Sequence, residues 1–258
     1  MLIEYPKGSP VELAFDKRLH SYKADDVIVP SATQVLGIIS KPALVPWALK
    51  MGATWLERNM FYDDTNSSKS QGVFHTKGMG LGALIKGVKA AYKTKSGDAL
   101  NIGNLTHEWL EKAIKWKLGE GEAPASPTNE GVINAVDAFR EWVKENDVKW
   151  ISSEEKLYNR GYKYAGTVDA IAEINGDYCV IDWKTSRAIY PEYYLQVAAY
   201  AKAVEEMKGR HVDATYILRC DKVTGMFEAA RSTDPELSEN FKAFLAAKFL
   251  FHRMKELK

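Results

Sequence analysis

The chain has 258 residues, 46% of them hydrophobic and 27% charged, with a formal net charge of +1. This is the composition of an ordinary globular protein, long enough for one large domain or two small ones. It excludes a global basic excess, so any anionic partner must be held by a local patch.

Two cysteines, Cys179 and Cys220, stand far apart and cannot build a four-cysteine zinc or iron–sulfur site. Cys179 lies in an apolar run and is expected to be a small buried residue. A reducing cytoplasm follows from such cysteine use. No run is apolar enough to span a bilayer, and Met1-Leu2-Ile3-Glu4 brings an acid too early for a signal peptide.

Residues 2–5 and 11–22 read as short strands of an N-terminal hairpin, broken by Pro6-Lys7-Gly8. Ser31 is placed to cap a helix whose apolar stripe follows it. Pro42 or Pro46 opens the next helix, with Trp47, Met51 and Trp55 one turn apart. Residues 61–82 read as an irregular loop, and helical spacing returns from Leu84 to Tyr92. The segment from Ile102 to Trp116 predicts an amphipathic helix with His107 and Glu111 on one face. The bland reading of Glu111 is a carboxylate that supports His107 as an acceptor. A Gly/Pro/Ser loop over 119–126 leads to a helix from Pro127 to Glu145, with Val132, Ala135, Phe139 and Trp142 buried. Trp47, Trp55, Trp109 and Trp116 fall on similar stripes and read as mostly core.

The pattern then changes. Strands are predicted at about 148–158, 162–174 and 177–185, a helix from Pro191 to Met207, strands at 212–219 and 226–231, and a last helix from Asp234. Asn175-Gly176 between apolar runs is a strong two-residue hairpin signal. The fold class is therefore α/β, with an N-terminal hairpin and helical elaboration over 1–100 and a helix–sheet core over 101–258, in one compact domain.

The chemistry gathers on the three strands. Val180, Asp182 and Lys184 share one face, because side chains repeat every second residue. A buried charge is normally paired or bound to a metal. Asp169 and Asp182 are thus expected as carboxylate ligands, with Lys184 beside them. Glu154 or Glu155 adds an acid from the first strand, and periodicity does not choose between them. Oxygen ligands in an open cleft suit magnesium or manganese. One such ion polarises a phosphodiester, and two about 3.5–4 Å apart clamp the attacking and leaving oxygens. Lys184 would orient or deprotonate the water, or offset charge growing on the phosphate.

Gly166-x-x-Asp169, then Ile181-Asp182-Trp183-Lys184-Thr185-Ser186, then Gln196-x-x-x-Tyr200 resembles the PD-(D/E)XK nuclease superfamily. The resemblance is closest to its RecB-type exonucleases, which include mitochondrial genome maintenance and phage-encoded enzymes. Gly103-x-x-x-His107-x-x-x-Glu111 is similar to the histidine motif of that branch. The resemblance implies a core of mixed central sheet flanked by helices. It implies Asp169, Asp182 and the carbonyl of Trp183 as metal ligands, and Lys184 as the catalytic lysine. His107 would reach a second metal position, and Gln196 and Tyr200 would position Lys184 or a phosphate. Glu154 matches the family's upstream acid, with Glu155 its competitor. The cysteines that clasp an iron–sulfur cluster in some relatives are absent, so none is expected.

Lys69, Lys77, Lys86, Lys89, Lys93 and Lys95 crowd the stretch before His107, with Phe74 and Tyr92 among them. They could form a groove that tracks a strand's phosphates. The expectation is a magnesium- or manganese-dependent DNA exonuclease acting on single strands or duplex ends. Its rivals are a structure-selective endonuclease on the same fold and a non-catalytic DNA-binding recombination module. The resemblance alone implies a setting in a bacterial or phage-infected cytosol, beside a strand-annealing or single-strand-binding protein.

Overall fold

A computed structural model describes residues 1–16, 18, 21–39, 41, 44–63, 73–221 and 224–257. The chain divides into two compact units. One is Met1–Ile39 together with Ile102–Lys258, and the other is Ser40–Asn101. The second unit thus ends close to the boundary expected near residue 100, but residues 1–39 pack with 102–258.

The first unit opens with four short antiparallel strands in chain order: β1 (Leu2–Ile3), β2 (Val11–Asp16), β3 (Ser21–Ala24) and β4 (Val27–Val29). The expected hairpin is therefore a four-stranded sheet. Asp25 and Asp26 make the turn that adds β4, with φ of +46° and +64°. Such short acids tolerate left-handed backbone. Helix α1 (Ala32–Leu36) starts at a reciprocal cap: Ser31 Oγ accepts from Gln34 N and Gln34 Oε1 accepts from Ser31 N, both at 3.1 Å.

The second unit holds α2 (Leu44–Asn59), with Pro46 in its first turn, and a two-stranded sheet of β5 (Phe61–Asp63) and β6 (Val73–His75). The stretch read as irregular thus contains a strand pair at its two sides; residues 64–72, including Lys69, lie outside the described residues. Helix α3 (Leu81–Lys117) is one continuous element of 37 residues, where the sequence predicts two. Its glycines cost about 1 kcal/mol each but remove no hydrogen bond, and no proline interrupts it. Gly87 has a packing reason: the Trp55 ring of α2 lies where a Cβ would stand. Residues 81–101 of α3 belong to this unit and 102–117 to the first.

The rest of the first unit is a five-stranded sheet. Helix α4 (Glu130–Glu145) begins at Asn129, whose Oδ1 accepts from Gly131 N at 3.0 Å and Val132 N at 3.3 Å. The cap sets the helix three residues later than Pro127. Strands β7 (Val148–Asn159), β8 (Tyr164–Ile174) and β9 (Asp177–Lys184) run as an antiparallel meander. The β8–β9 turn has φ of +53° at Asn175 and +94° at Gly176, the double left-handed geometry of a tight hairpin. Helix α5 (Pro191–Lys208) crosses over to β10 (Ala214–Cys220), parallel to β9. Then β11 (Phe227–Ser232) returns antiparallel and α6 (Glu236–Glu256) closes the described chain. The sheet order is β11-β10-β9-β8-β7.

The two faces of β9 bury in two clusters. Tyr178 and Val180 pack with α1, α5 and α6, while Cys179, Ile181 and Trp183 pack with Leu110 and Ile114 of α3 and Phe139 and Trp142 of α4. Asp182 and Lys184 continue the Val180 side, toward α5. Cys179 is fully buried, and burial pushes its thiol up to about 12. Trp116 departs from its core reading: it is 45% exposed. Among the described residues no helix is long and apolar enough to cross a membrane.

Candidate metal centre

The pairing of β8 with β9 runs up to Ala170↔Ile181. Asp169 and Asp182 occupy the next positions on the two strands. There a side chain replaces the backbone ladder: Asp169 Oδ2 accepts from Trp183 N at 2.7 Å. Both aspartates are buried, Asp169 at 8% and Asp182 at 2% exposure.

Helix α3 and strand β7 bring the other donors. His107 Nδ1 stands 3.4 Å from Asp169 Oδ1. His107, Glu154 and Asp169 each offer one ligand atom, and these atoms lie within 4.8 Å of one another. Gly103 lets α3 come this close, since a Cβ there would stand 3.0 Å from Thr185 Oγ1, just past β9. Glu154 reaches the group through an uncommon backbone, with φ of +52° inside a strand. Ser153 helps hold this corner, its hydroxyl donating to the Asp169 carbonyl at 3.1 Å. Glu155 goes elsewhere, to Lys208 Nζ at 2.5 Å.

Asp182 stands beside the trio rather than within it. Its Oδ2 lies 2.5 Å from Lys184 Nζ, yet it receives no well-directed hydrogen bond. Lys184 in turn donates to Gln196 Oε1 at 3.3 Å, and Gln196 donates to Tyr200 OH at 2.8 Å. The ammonium also sits 4.8 Å above the Tyr193 ring. Tyr193, Gln196 and Tyr200 follow one another at helical spacing on α5. Tyr193 was missed in the sequence, although that spacing to Gln196 marks it.

Burial, charge and protonation are coupled here. Burial alone would lower His107, but the Asp169 carboxylate outweighs it and raises the imidazole to about 9. Burial would raise Asp169, and the charge of His107, followed by Lys184 and the Trp183 amide, holds it below the usual range. Burial lifts Glu154 to about 7, helped by the charge of Asp169. Burial lifts Asp182 to about 6 against the pull of Lys184. Lys184 is raised despite its burial, chiefly by Asp182. Three acids crowd two cations, and a divalent cation among them would displace protons from the ligands it takes.

These donors could hold a divalent metal ion. Two carboxylates and one imidazole make a mixed oxygen and nitrogen donor set of the kind divalent cations take. The buried Oδ2 of Asp182 already has the Lys184 ammonium beside it, so the open donors for a cation are His107, Glu154 and Asp169. Glu111 Oε1 accepts from Lys115 Nζ at 2.5 Å. The Trp183 ring points to the opposite core, 5.2 Å from Phe139 in an edge-to-face pair. Arg219, 5% exposed and marked by no motif in the sequence, donates to the carbonyls of Ser186 and Arg187 at 3.1 Å each, just after Lys184.

Residues 130–254 match the family model of the PD-(D/E)XK nuclease superfamily. Over 57 residues the chain is 42% identical to mitochondrial genome maintenance exonuclease 1 of Mus musculus. That match covers 20% of the chain and spans 17% of the length of that relative. Among solved structures, one from Eubacterium rectale shares 15% identity, covering 61% of this chain and 67% of the other, with a TM-score of 0.42. An alkaline exonuclease from Laribacter hongkongensis shares 14% identity over 58% of this chain and 86% of its own, with a TM-score of 0.31.

Proposed function

We propose, from the match of residues 130–254 to the family model of the PD-(D/E)XK nuclease superfamily, that this protein is a divalent-metal-dependent DNA exonuclease. His107, Glu154 and Asp169 would hold the ion, and the resemblance would add Asp182 and the Trp183 carbonyl to them. When bound, magnesium or manganese would supply polarisation of the scissile phosphodiester and a water of lowered pKa.

The chain's own groups do the rest. Lys184 presents a cation beside the ion site, where it orients the attacking water and offsets charge on the phosphate in the transition state. Gln196 accepts from the ammonium and is itself tied to Tyr200, so Lys184 is held from the α5 side. Tyr193 limits its swing from below. The observation that carries this reading is the position of Lys184 Nζ, 2.5 Å from Asp182 and 3.3 Å from Gln196, at the strand end that also carries the ion site.

The test uses strands labelled at either end, incubated with magnesium, with manganese and with EDTA. Lys184→Ala and Asp182→Asn should each lower cleavage by about 10²–10⁴-fold, while strand binding in EDTA persists. Full activity in either purified variant would overturn the mechanism. Cutting of a circular single strand would reassign the activity to an endonuclease. Calorimetry that detects no manganese uptake would instead leave a DNA-binding module without catalysis.

A further inference from the structure

Charge is distributed unevenly between the two units. Ser40–Asn101 carries nine lysines and arginines against four acids, a formal charge of +5. The whole chain carries +1, so the unit with the metal centre carries −4. An acidic unit repels a polyanion, and a basic one attracts it.

The basic residues of the second unit are not equivalent. Lys77 donates to the Arg58 carbonyl at 2.7 Å and is engaged within the unit. The side chain of Lys95 lies outside the described residues. Lys86, Lys89 and Lys93 are exposed, and none has an ion-pair partner among the described residues. Spaced at i, i+3 and i+7, they form one row on α3, about 10 Å long at 1.5 Å per residue. They line an open groove of about 360 Å³ with Gly82, Ile85 and Ala90. Along one side of the row runs a second stripe, one turn pair apart: Ile85, 46% exposed, and Tyr92, 37% exposed.

We infer that this face of α3 binds single-stranded DNA, with the three lysines on successive phosphates and Tyr92 under a base. The inference rests on the nuclease reading and names the form of its substrate. A cationic row alone would suit any polyanion. The adjoining aromatic and aliphatic stripe selects a strand whose bases are free to stack, because in a duplex they are turned inward.

The test is fluorescence anisotropy of a labelled oligothymidylate in EDTA, titrated with sodium chloride. Lys86→Ala, Lys89→Ala and Lys93→Ala combined should weaken binding and flatten the log–log salt slope by about 2, at about 0.7 per phosphate for a single strand. Alanine favours helix, so a melting curve matching the wild type is expected. Tyr92→Ala should weaken binding about tenfold without changing the slope. An unchanged slope in the triple variant overturns the lysine row. Equal losses on a blunt duplex, or displacement by polyglutamate as effective as by oligothymidylate, overturn the single-strand assignment. The two readings fail separately. Wild-type protein that shows the lysine-dependent slope but cleaves nothing in magnesium or manganese sinks the nuclease and keeps the face. Wild-type protein that cleaves while the triple variant keeps its slope does the reverse.

Discussion

Glu154 is a non-glycine residue at φ +52° in the interior of a strand, beside His107 and Asp169. Left-handed backbone at such a position costs about 1–3 kcal/mol. The register of β7 against β8 slips between Trp150 and Ser152 and then runs evenly, with Ser153 opposite Ala170 and Glu155 opposite Val168; in that phase Glu154 joins the acid cluster and Glu155 turns to Lys208. This is why alternation cannot choose between them in the sequence. Asp169, Asp182 and Lys184, by contrast, are legible because they sit on regular strands and charged residues stand out in apolar runs. Glu154→Gly relieves the backbone and removes an acid that burial holds near pKa 7. Thermal melts in EDTA at pH 8 should show a protein stabilised by about 1 kcal/mol, with cleavage lost. A lower melting point would mean that the conformation is unstrained.

Helix α5 meets the sheet at Gly166. A Cβ there would stand 2.6 Å from Tyr200 Cε1, so the ring and the strand occupy one another's space. The glycine of the Gly-x-x-Asp pattern is thus explained by the tyrosine of the Gln-x-x-x-Tyr pattern, a link between elements that neither pattern displays. Gly166→Ala pushes Tyr200, and through it Gln196 and Lys184, costing about 1–3 kcal/mol of stability by overpacking. Cleavage should fall at least tenfold while manganese affinity in calorimetry stays within twofold. Loss of metal binding instead would place the strain on the ligands. Gly103→Ala should be milder, since its Cβ meets a hydroxyl that can rotate. Element boundaries in the second half are legible to within about two residues because β-strand alternation, Asn175-Gly176 and Pro191 all agree. The continuity of α3 is not, since Gly97 and Gly103 lower its local propensity and only the completed helix shows that they are tolerated.

At the scale of the whole molecule, the unit Ser40–Asn101 is an insertion between two stretches that pack together. Residues 1–39 are tied to the five-stranded sheet by contacts separated by some 150 residues. Tyr5 OH donates to the Tyr158 carbonyl at 2.6 Å, and the Tyr22 and Thr167 hydroxyls lie 2.8 Å apart. Arg160 donates to the carbonyls of Lys7 at 2.7 Å and Ser9 at 2.8 Å. Ala165 N donates to the Pro30 carbonyl at 2.9 Å. Periodicity reports the partners of a residue one turn or one strand away, and carries no record of such distant ones. The charge split between the units is legible in the sequence once their limits are known, but those limits come from packing.

A chain whose leading 39 residues are clasped by its sheet does not need an unbroken backbone to stay whole. A protease site engineered into the inserted unit should yield two fragments that co-elute in gel filtration and part only in denaturant. Fragments that separate in native buffer would show the clasp to be too weak. If they hold, the two halves expressed apart should find each other and restore the fold, a split protein whose reassembly can be placed under external control.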